Sequence, residues 1–418
     1  MLSVLTRNRD FRHLFAAELV MFGGDWFVLI PLLTLLPKLT GSGLLGGVVL
    51  AADTGTTALL LPFTGTVADR VDRRRIMLTA NVAGLAAVLA LLLVRTPHTA
   101  WLAPVAVACL AVAKAFYTPA ASAALPNLVE PDDLAAANAL AGSAWGTMLV
   151  LGASLGGVLA AAVGPYVCFL VTAACLAGAA ALVWPIRRPM QAVRSGPPAR
   201  TWHAIAEALR YVAHRPRVGA LVTVKSAVGL GNGVLTAFPL LATVVFHVGA
   251  AGTGLLFAAR GAGALVGPLI LRRVLSHRSW LLPALAVSMG LYGAAYLGVS
   301  VSRWFWLALV LVTVAHMAGG GNWAMSNYAL QAEVPDDLRG RVFATDVMIA
   351  TLAISTSQLL VGFTVDRVSV RVLVAVCGSA TLAYSIVWRA LTRRLLRRAV
   401  PAVPDGAAAA GAAGVLSS

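Results

Sequence analysis

The chain has 418 residues, of which 59% are apolar and 11% charged, less than half the roughly 25% charged residues of a soluble globular protein. With a mean hydropathy of +0.85, too little charge remains to cover a water-facing surface, which excludes a soluble enzyme and points to a polytopic membrane protein. The formal net charge of +16 suggests nucleic acid only if it forms a continuous basic face, and its distribution along the chain argues otherwise.

Taken in order, apolar runs of about 20 residues, the length a helix needs to cross the hydrocarbon core, predict twelve spans: 14–36, 43–64, 76–95, 100–124, 138–160, 165–186, 218–243, 252–271, 280–300, 304–326, 342–363 and 371–391. The runs are uninterrupted rather than alternating, so an all-α membrane protein is expected and not a barrel. With the N-terminus in the cytoplasm, 23 of the 32 Lys and Arg residues fall in loops and ends on that side, and five (Lys38, Arg95, Arg303, Arg367, Arg371) on the other. This positive-inside bias predicts that both termini are cytoplasmic and that the basicity serves topology, with no nucleic-acid partner. The first span follows charges that run up to Arg12, with no small-residue cleavage site, so no cleavable signal peptide is expected. Cys109, Cys168, Cys175 and Cys377 all lie within spans and read as small apolar packing residues.

An internal repeat organises the chain. Pro131-Asp132-Asp133-Leu134 recurs as Pro335-Asp336-Asp337-Leu338, an offset of 204 residues, after the fourth and the tenth span. Near the same offset, Gly65 and the basic run Arg70 to Arg75 correspond to Gly267 with Arg272, Arg273 and Arg278. Two six-span halves of the same orientation follow, 1–186 and 218–392, as parallel repeats about an axis normal to the membrane. The connection 187–217 holds Gly196-Pro197-Pro198 and seven arginines. Within it Trp202, Ile205, Ala208, Leu209 and Val212 share one helical face opposite Glu207 and Arg210, predicting an amphipathic helix at the cytoplasmic interface, or else a plain tether between the halves. The Ala/Gly-rich segment 393–418 is expected to be a disordered cytoplasmic tail.

Between spans two and three lies Gly65-Thr66-Val67-Ala68-Asp69-Arg70-Val71-Asp72-Arg73-Arg74-Arg75. It resembles the G-x-x-x-D-R-x-G-R-R signature of the major facilitator superfamily. The resemblance implies the major facilitator fold, twelve transmembrane helices in two pseudo-symmetric halves around a central cavity. It also implies a gating role for Gly65, Asp69, Arg70, Asp72, Arg73 and Arg74, which in that family latch the halves and release as they rock. Asp72 stands where the general pattern has glycine, and the D-R-x-D-R-R-R version resembles the macrolide-efflux and enterobactin-exporter branch. Ala120 to Pro126, Ala136 to Leu140, Gly340-Arg341-Val342-Phe343 and Trp202 to Tyr211 are similar to connections of that branch. Gly152-Ala153-Ser154-Leu155-Gly156-Gly157 is similar to an antiporter motif without its proline, and equally to a generic close helix seam.

Ionisable residues inside spans are costly and mark functional candidates. Asp25 lies mid-span in the first helix with Glu18 on nearly the same face, and Lys114 lies mid-span in the fourth. Asp25 and Lys114 are expected to face one cavity, where a desolvated carboxyl can hold and release a proton; the competing reading is a structural ion pair. Asp53, Lys225 and Arg260 form the next tier, either drawing an anionic substrate or pairing with carboxylates or snorkelling. Trp145, Trp323, Asn232, Asn322 and Gln358 complete the candidate cavity lining, with Asn327 also polar within a span and His316 read as a packing residue. Trp101, Trp184, Trp280, Trp304 and Trp306 mark span ends. No His, Cys or acid cluster has metal-ligand spacing and no phosphate-cradling loop occurs, so neither metal, cofactor nor ATP is expected and an ion gradient would supply the energy.

These readings predict a non-enzymatic, monomeric transporter in a bacterial inner membrane. It would export a small organic molecule (a drug, antibiotic or siderophore) in exchange for protons. The alternatives are a proton-coupled importer of a metabolite and, in a different class, a lipid scramblase or sensor.

Overall fold

A computed structural model describes residues 3–130, 133–190, 201–275 and 281–393, and among these the regular structure is helical throughout. The first half contains α1 (Arg9–Thr40), α2 (Leu44–Arg70), α3 (Arg73–Ala90), α4 (Leu102–Leu128), α5 (Leu134–Val163) and α6 (Pro165–Val183). The second contains α7 in two pieces (Pro216–Gly231 and Val234–Leu240), α8 (Gly249–Leu275), α9 (Leu281–Val301), α10 (Phe305–Glu333), α11 (Asp336–Thr364) and α12 (Val370–Thr392). Eleven helical segments among the described residues are long and apolar enough to cross a membrane, and α5 carries a shorter apolar stretch, Val150–Val163. Each predicted span therefore has its helix.

The helices overrun the apolar runs where charged turns continue into the interface. α10 has 29 residues, about 44 Å at 1.5 Å per residue, which matches a bilayer with its headgroups rather than the hydrocarbon core alone. Turns between helices are short and chemically specified. Gly41 closes α1 with φ 68°, a left-handed conformation that glycine adopts without strain. Pro165 opens α6 at the first-turn position, where its missing N–H costs nothing.

One predicted span carries an internal break. Residues 218–243 read as an unbroken apolar run, yet α7 stops at Gly231, resumes at Val234 and ends in a π-helical turn, Leu241–Val245. Ser357 of α11 supplies the replacement bonds: its hydroxyl accepts from the Gly233 N–H at 3.0 Å and donates to the Leu230 carbonyl. A β-carbon at Gly233 would lie 2.4 Å from that hydroxyl. Hydropathy does not register this break, because glycine is neutral on any such scale and its partner is 124 residues away.

Packing repeats between the halves. α1 lies against α5 and α6, α2 against α4, and α3 against α4 and α6; the same pairs recur six helices later as α7 with α11 and α12, α8 with α10, and α9 with α10 and α12. The halves meet along α2–α11 and α5–α8. Exposed Val82, Leu93, Leu155, Val287, Val310 and Ile386 give the outer surface an apolar coat, and exposed Trp101, Trp184, Trp304 and Trp306 stand at helix ends, as an interfacial aromatic belt does. The helix Thr201–His214 is present, and its Glu207 pairs with Arg341 of α11. The tail expected to be disordered lies outside the described residues beyond 393.

The halves are sealed at the end away from residues 3 and 393. There a β-carbon at Gly47 would sit 2.6 Å from the Gly362 Cα, and one at Gly157 2.6 Å from the Gly254 Cα. Such backbone-to-backbone contacts are the way membrane helices gain dispersion energy where no hydrophobic drive exists. The Asp366 carboxylate adds a polar clasp, accepting from the Ser42 hydroxyl and, at 2.8 Å, from the Gly43 N–H. Gly47→Leu or Gly157→Leu should cost the closed seam about 1–3 kcal/mol by overpacking, shifting its population by about fivefold to more than a hundredfold. Spin labels at the exposed Lys38 and Arg367 positions, in a cysteine-free background, should then report a longer distance than in the parent. An unchanged distance distribution would show that the seam is not what holds this end shut.

Candidate functional site

A cavity of about 230 Å³ lies between the halves. From the first half α1 contributes Phe22, Asp25, Trp26 and Leu29, α2 Leu50, Asp53 and Thr54, and α4 Lys114. From the second, Asn232 at the α7 break, Leu235, Phe257 and Arg260 of α8, and Ile354 and Gln358 of α11 complete it. The four α1 residues follow i, i+3, i+4, i+7 spacing, so one stripe of that helix is turned inward. α5 fixes the stripe: β-carbons at Gly152 and Gly156 would lie 2.7 Å from the Trp26 ring and from its carbonyl oxygen. The glycine pattern read as similar to an antiporter motif is thus a seam that sets a cavity wall.

The structure brings Asp25, Asp53 and Lys114 together. The Lys114 ammonium donates to Asp53 at 2.9 Å and to Asp25 at 3.3 Å, with all three side chains between 16% and 20% exposed. Two carboxylates around one ammonium leave the group one negative charge in excess, and in a poorly solvated cavity that excess is costly. Uptake of one proton would make the group neutral. At the far-end side of the cavity Thr54 donates to the Gln358 side-chain carbonyl at 2.9 Å, joining the halves across it, and Ser355 donates to the Ala51 carbonyl.

Other predicted residues lie elsewhere. Glu18 is buried two turns along α1 from Asp25, beside Tyr117 of α4, and does not line the cavity. Of the two readings of Lys225, cavity lining fails and carboxylate pairing holds: its ammonium is fully buried against Asp346 of α11, donates to Asn327 Oδ1 at 2.6 Å and lies 4.8 Å from the Trp323 ring centroid. A lysine stem four carbons long reaches its partner inside the half more readily than it reaches the cavity. Trp323 is accordingly a shelf under Lys225. Asn322 is also corrected: it is fully buried and donates to the Ser288 hydroxyl at 2.9 Å, within the α9–α10 contact. His316 packs as expected, with Nε2 2.7 Å from the Tyr296 hydroxyl. The side chain of Trp145 lies outside the described residues.

Asp346 was missed by the sequence reading, although it is a carboxylate inside a predicted span and the rule that found Asp25 applies to it equally. Tyr292 and Tyr296, whose rings meet edge to face at 5.0 Å, carried no signal, since tyrosine in an apolar run reads as packing.

The basic motif after α2 ties one half together. Asp72, standing where the general pattern has glycine, caps α3 by accepting from the Arg75 N–H at 3.1 Å, a good reason for an acid there. Arg73 donates to the carbonyls of Ala123 and Met190 at 2.7 and 2.8 Å. Arg74 donates to the Trp184 carbonyl and lies over its ring, and Arg70 is exposed. Gly65 and Asp69 lie on α2, with the Asp69 side chain outside the described residues. In the first P-D-D-L copy, Asp133 accepts from Arg7 and Asn8, both at 2.8 Å, and anchors the N-terminal segment to α5.

The Lys225–Asp346 pair generates a stability prediction. Removing one partner strands a buried charge, so Lys225→Ala should cost about 3–5 kcal/mol, whereas Lys225→Met combined with Asp346→Leu should cost far less. Thermal unfolding of the purified variants distinguishes the two; equal losses would mean that the pair is not acting as a unit.

Several solved structures share this architecture. A variant of the nucleoside transporter NupG matches with a TM-score of 0.73 at 13% identity, covering 92% of this chain and 99% of its own. A bacterial homolog of the human lysosomal transporter Spinster, solved inward-facing and unoccupied, gives 0.74 at 15% identity, covering 95% and 99%. The human organic anion transporter MFSD10 (TETRAN) gives 0.63 at 17% identity, covering 91% and 99%. At these identities the likeness is one of fold. No curated protein matches the sequence. The sequence profile described as Major Facilitator Superfamily matches residues 15–345, most of the chain, and with the twelve helices, the paired halves and the central cavity the conclusion is direct: this chain belongs to the major facilitator superfamily.

Proposed function

We propose that the protein is a proton-coupled secondary transporter of a small organic molecule, working by alternating access. The observation that carries the reading is the placement of Lys114 between Asp25 and Asp53 on the wall of the central cavity. Protonating Asp25 removes one of the two attractions on Lys114, so the α1–α4 and α2–α4 contacts change with proton occupancy. A ligand or proton shifts a two-state equilibrium by its differential affinity for the states, and the membrane potential adds about 2.3 kcal/mol per charge per 100 mV. The sealed end described above supports reading this structure as one of the two states.

The direction we propose is export in exchange for protons, on the similarity of the D-R-x-D-R-R-R loop to efflux proteins. The setting is a bacterial inner membrane with both termini in the cytoplasm and a monomer as the working unit. A second reading, import together with protons, is favoured by Arg260. Its charge makes the unprotonated cavity neutral, so a proton and an anion would load together more readily than either alone. A scramblase or sensor would have no use for this carboxylate group.

Dye and antibiotic transport into inside-out vesicles, with and without an imposed pH gradient, separates these readings. Export by exchange predicts gradient-driven uptake in the parent that falls to the level of empty vesicles in Asp25→Asn at equal protein amount. Uptake that appears only when the gradient is reversed selects import. Transport by the parent that ignores the gradient in both directions would defeat the proton-coupled reading altogether.

A further inference from the structure

Arg260 lies on α8 one turn after Phe257, and both line the central cavity. The other cavity cation, Lys114, is held by two carboxylates, and the buried Lys225 by one. Arg260 differs: among the described residues its guanidinium makes no ion pair and no hydrogen bond. Its electrostatic neighbours are Asp53, Tyr292 and Tyr296, and none of them accepts a hydrogen bond from it. Asp53 is bound to Lys114 at 2.9 Å. The Tyr296 hydroxyl is engaged with His316 at 2.7 Å. Tyr292 lies edge-on between the rings of Tyr296 and His316, at 5.0 and 5.3 Å.

A guanidinium is charged at every physiological pH and presents five donors in a fixed fork. Its charge is balanced across the cavity, but its donors meet no acceptor among the described residues, which is costly in a bilayer-embedded site; what matches the fork is a group with two anionic oxygens on one atom. The rest of the wall specifies the body attached to that group. Trp26, Leu29, Leu50, Leu235, Phe257 and Ile354 are apolar, and Trp26 and Phe257 stand 5.7 Å apart as a tilted aromatic pair. The volume of about 230 Å³ falls below the roughly 300–1,000 Å³ of drug-sized sites, which sets the body at one or two rings.

We propose that Arg260 is the substrate anchor and that the transported molecule is a small aromatic or aliphatic carboxylate. Its two oxygens take the guanidinium fork and its apolar body lies against Trp26 and Phe257. The assignment rests on reading this cavity as the transport site. It names a chemical class for that site, and its test does not depend on transport direction.

Matched acid and amide probes test it on the purified full-length protein in nanodiscs, at fixed pH and with no gradient. Benzoate is compared with benzamide, and indole-3-acetate with indole-3-acetamide, with tryptamine as the cation of similar shape. Binding is read by calorimetry and by thermal stabilisation. In the parent each acid should bind about ten- to a hundredfold tighter than its amide, the worth of a hydrogen-bonded charge contact. Arg260→Gln should bring acid and amide level, and Arg260→Lys should keep part of the preference, because it retains the charge and loses the fork. Acid and amide binding alike in the parent, tighter binding of tryptamine, no response to either acid, or an acid preference that survives Arg260→Gln would each overturn the assignment. Should Arg260→Gln fail to fold, the acid–amide contrast in the parent and in Arg260→Lys still decides. The probes report binding alone, so a failure of proton coupling at Asp25 leaves this result standing, and a failure here leaves the vesicle result standing.

Discussion

Lys114 holds three helices at once. Its ammonium is the shared donor of Asp25 on α1 and Asp53 on α2, and it stands on α4, so the cavity-facing side of the first half closes around one charge. In water such a cluster would be worth little. In a bilayer-embedded cavity neither the ammonium nor the carboxylates have a good alternative partner, and the geometry of α1, α2 and α4 follows from satisfying them. The same cluster carries an unbalanced negative charge, which makes it both the positional centre of the half and the place where a proton would alter the balance of forces.

The second half solves the same problem differently. Its principal ion pair, Lys225–Asp346, is withdrawn from the cavity and completed by Asn327 and the Trp323 ring, so it joins α7 to α11 without facing the substrate path. What remains at the cavity is Arg260, with no carboxylate of its own. The pseudo-symmetry of helix packing is therefore not a symmetry of chemistry: one half presents two carboxylates on one ammonium and the other a guanidinium without a hydrogen-bond partner among the described residues.

Between the halves the closest contacts are made by small residues, beside an apolar cluster in which Ile30, Leu33 and Leu50 pack with Leu235, Phe238 and Val361. Gly47 on Gly362 and Gly157 on Gly254 bring backbones together at the sealed end, and hydroxyl-to-carbonyl bonds such as Ser355 to Ala51 follow them inward to the cavity. A surface of this kind is held by short-range dispersion and a few hydrogen bonds.

The twelve spans, their helical nature, the repeat and the amphipathic connection were legible in the residues alone. Each is a consequence of local composition: enough consecutive apolar side chains to cross a bilayer, and enough charge between them to stop. Asp25, Asp53, Lys114, Arg260, Asn232 and Gln358 were legible as candidates because polarity inside a span is costly wherever it occurs. What composition does not contain is direction around a helix axis and partner choice across the bundle. That Lys225 turns to Asp346 and Asn322 to Ser288, that Glu18 sits apart from Asp25, that α7 breaks at Gly231–Gly233 on Ser357, and that Arg260 has no hydrogen-bond partner among the described residues were decided only when the helices packed. These outcomes depend on distances between side chains more than a hundred residues apart as well as between near neighbours, and on which of several possible acceptors each buried donor reaches first.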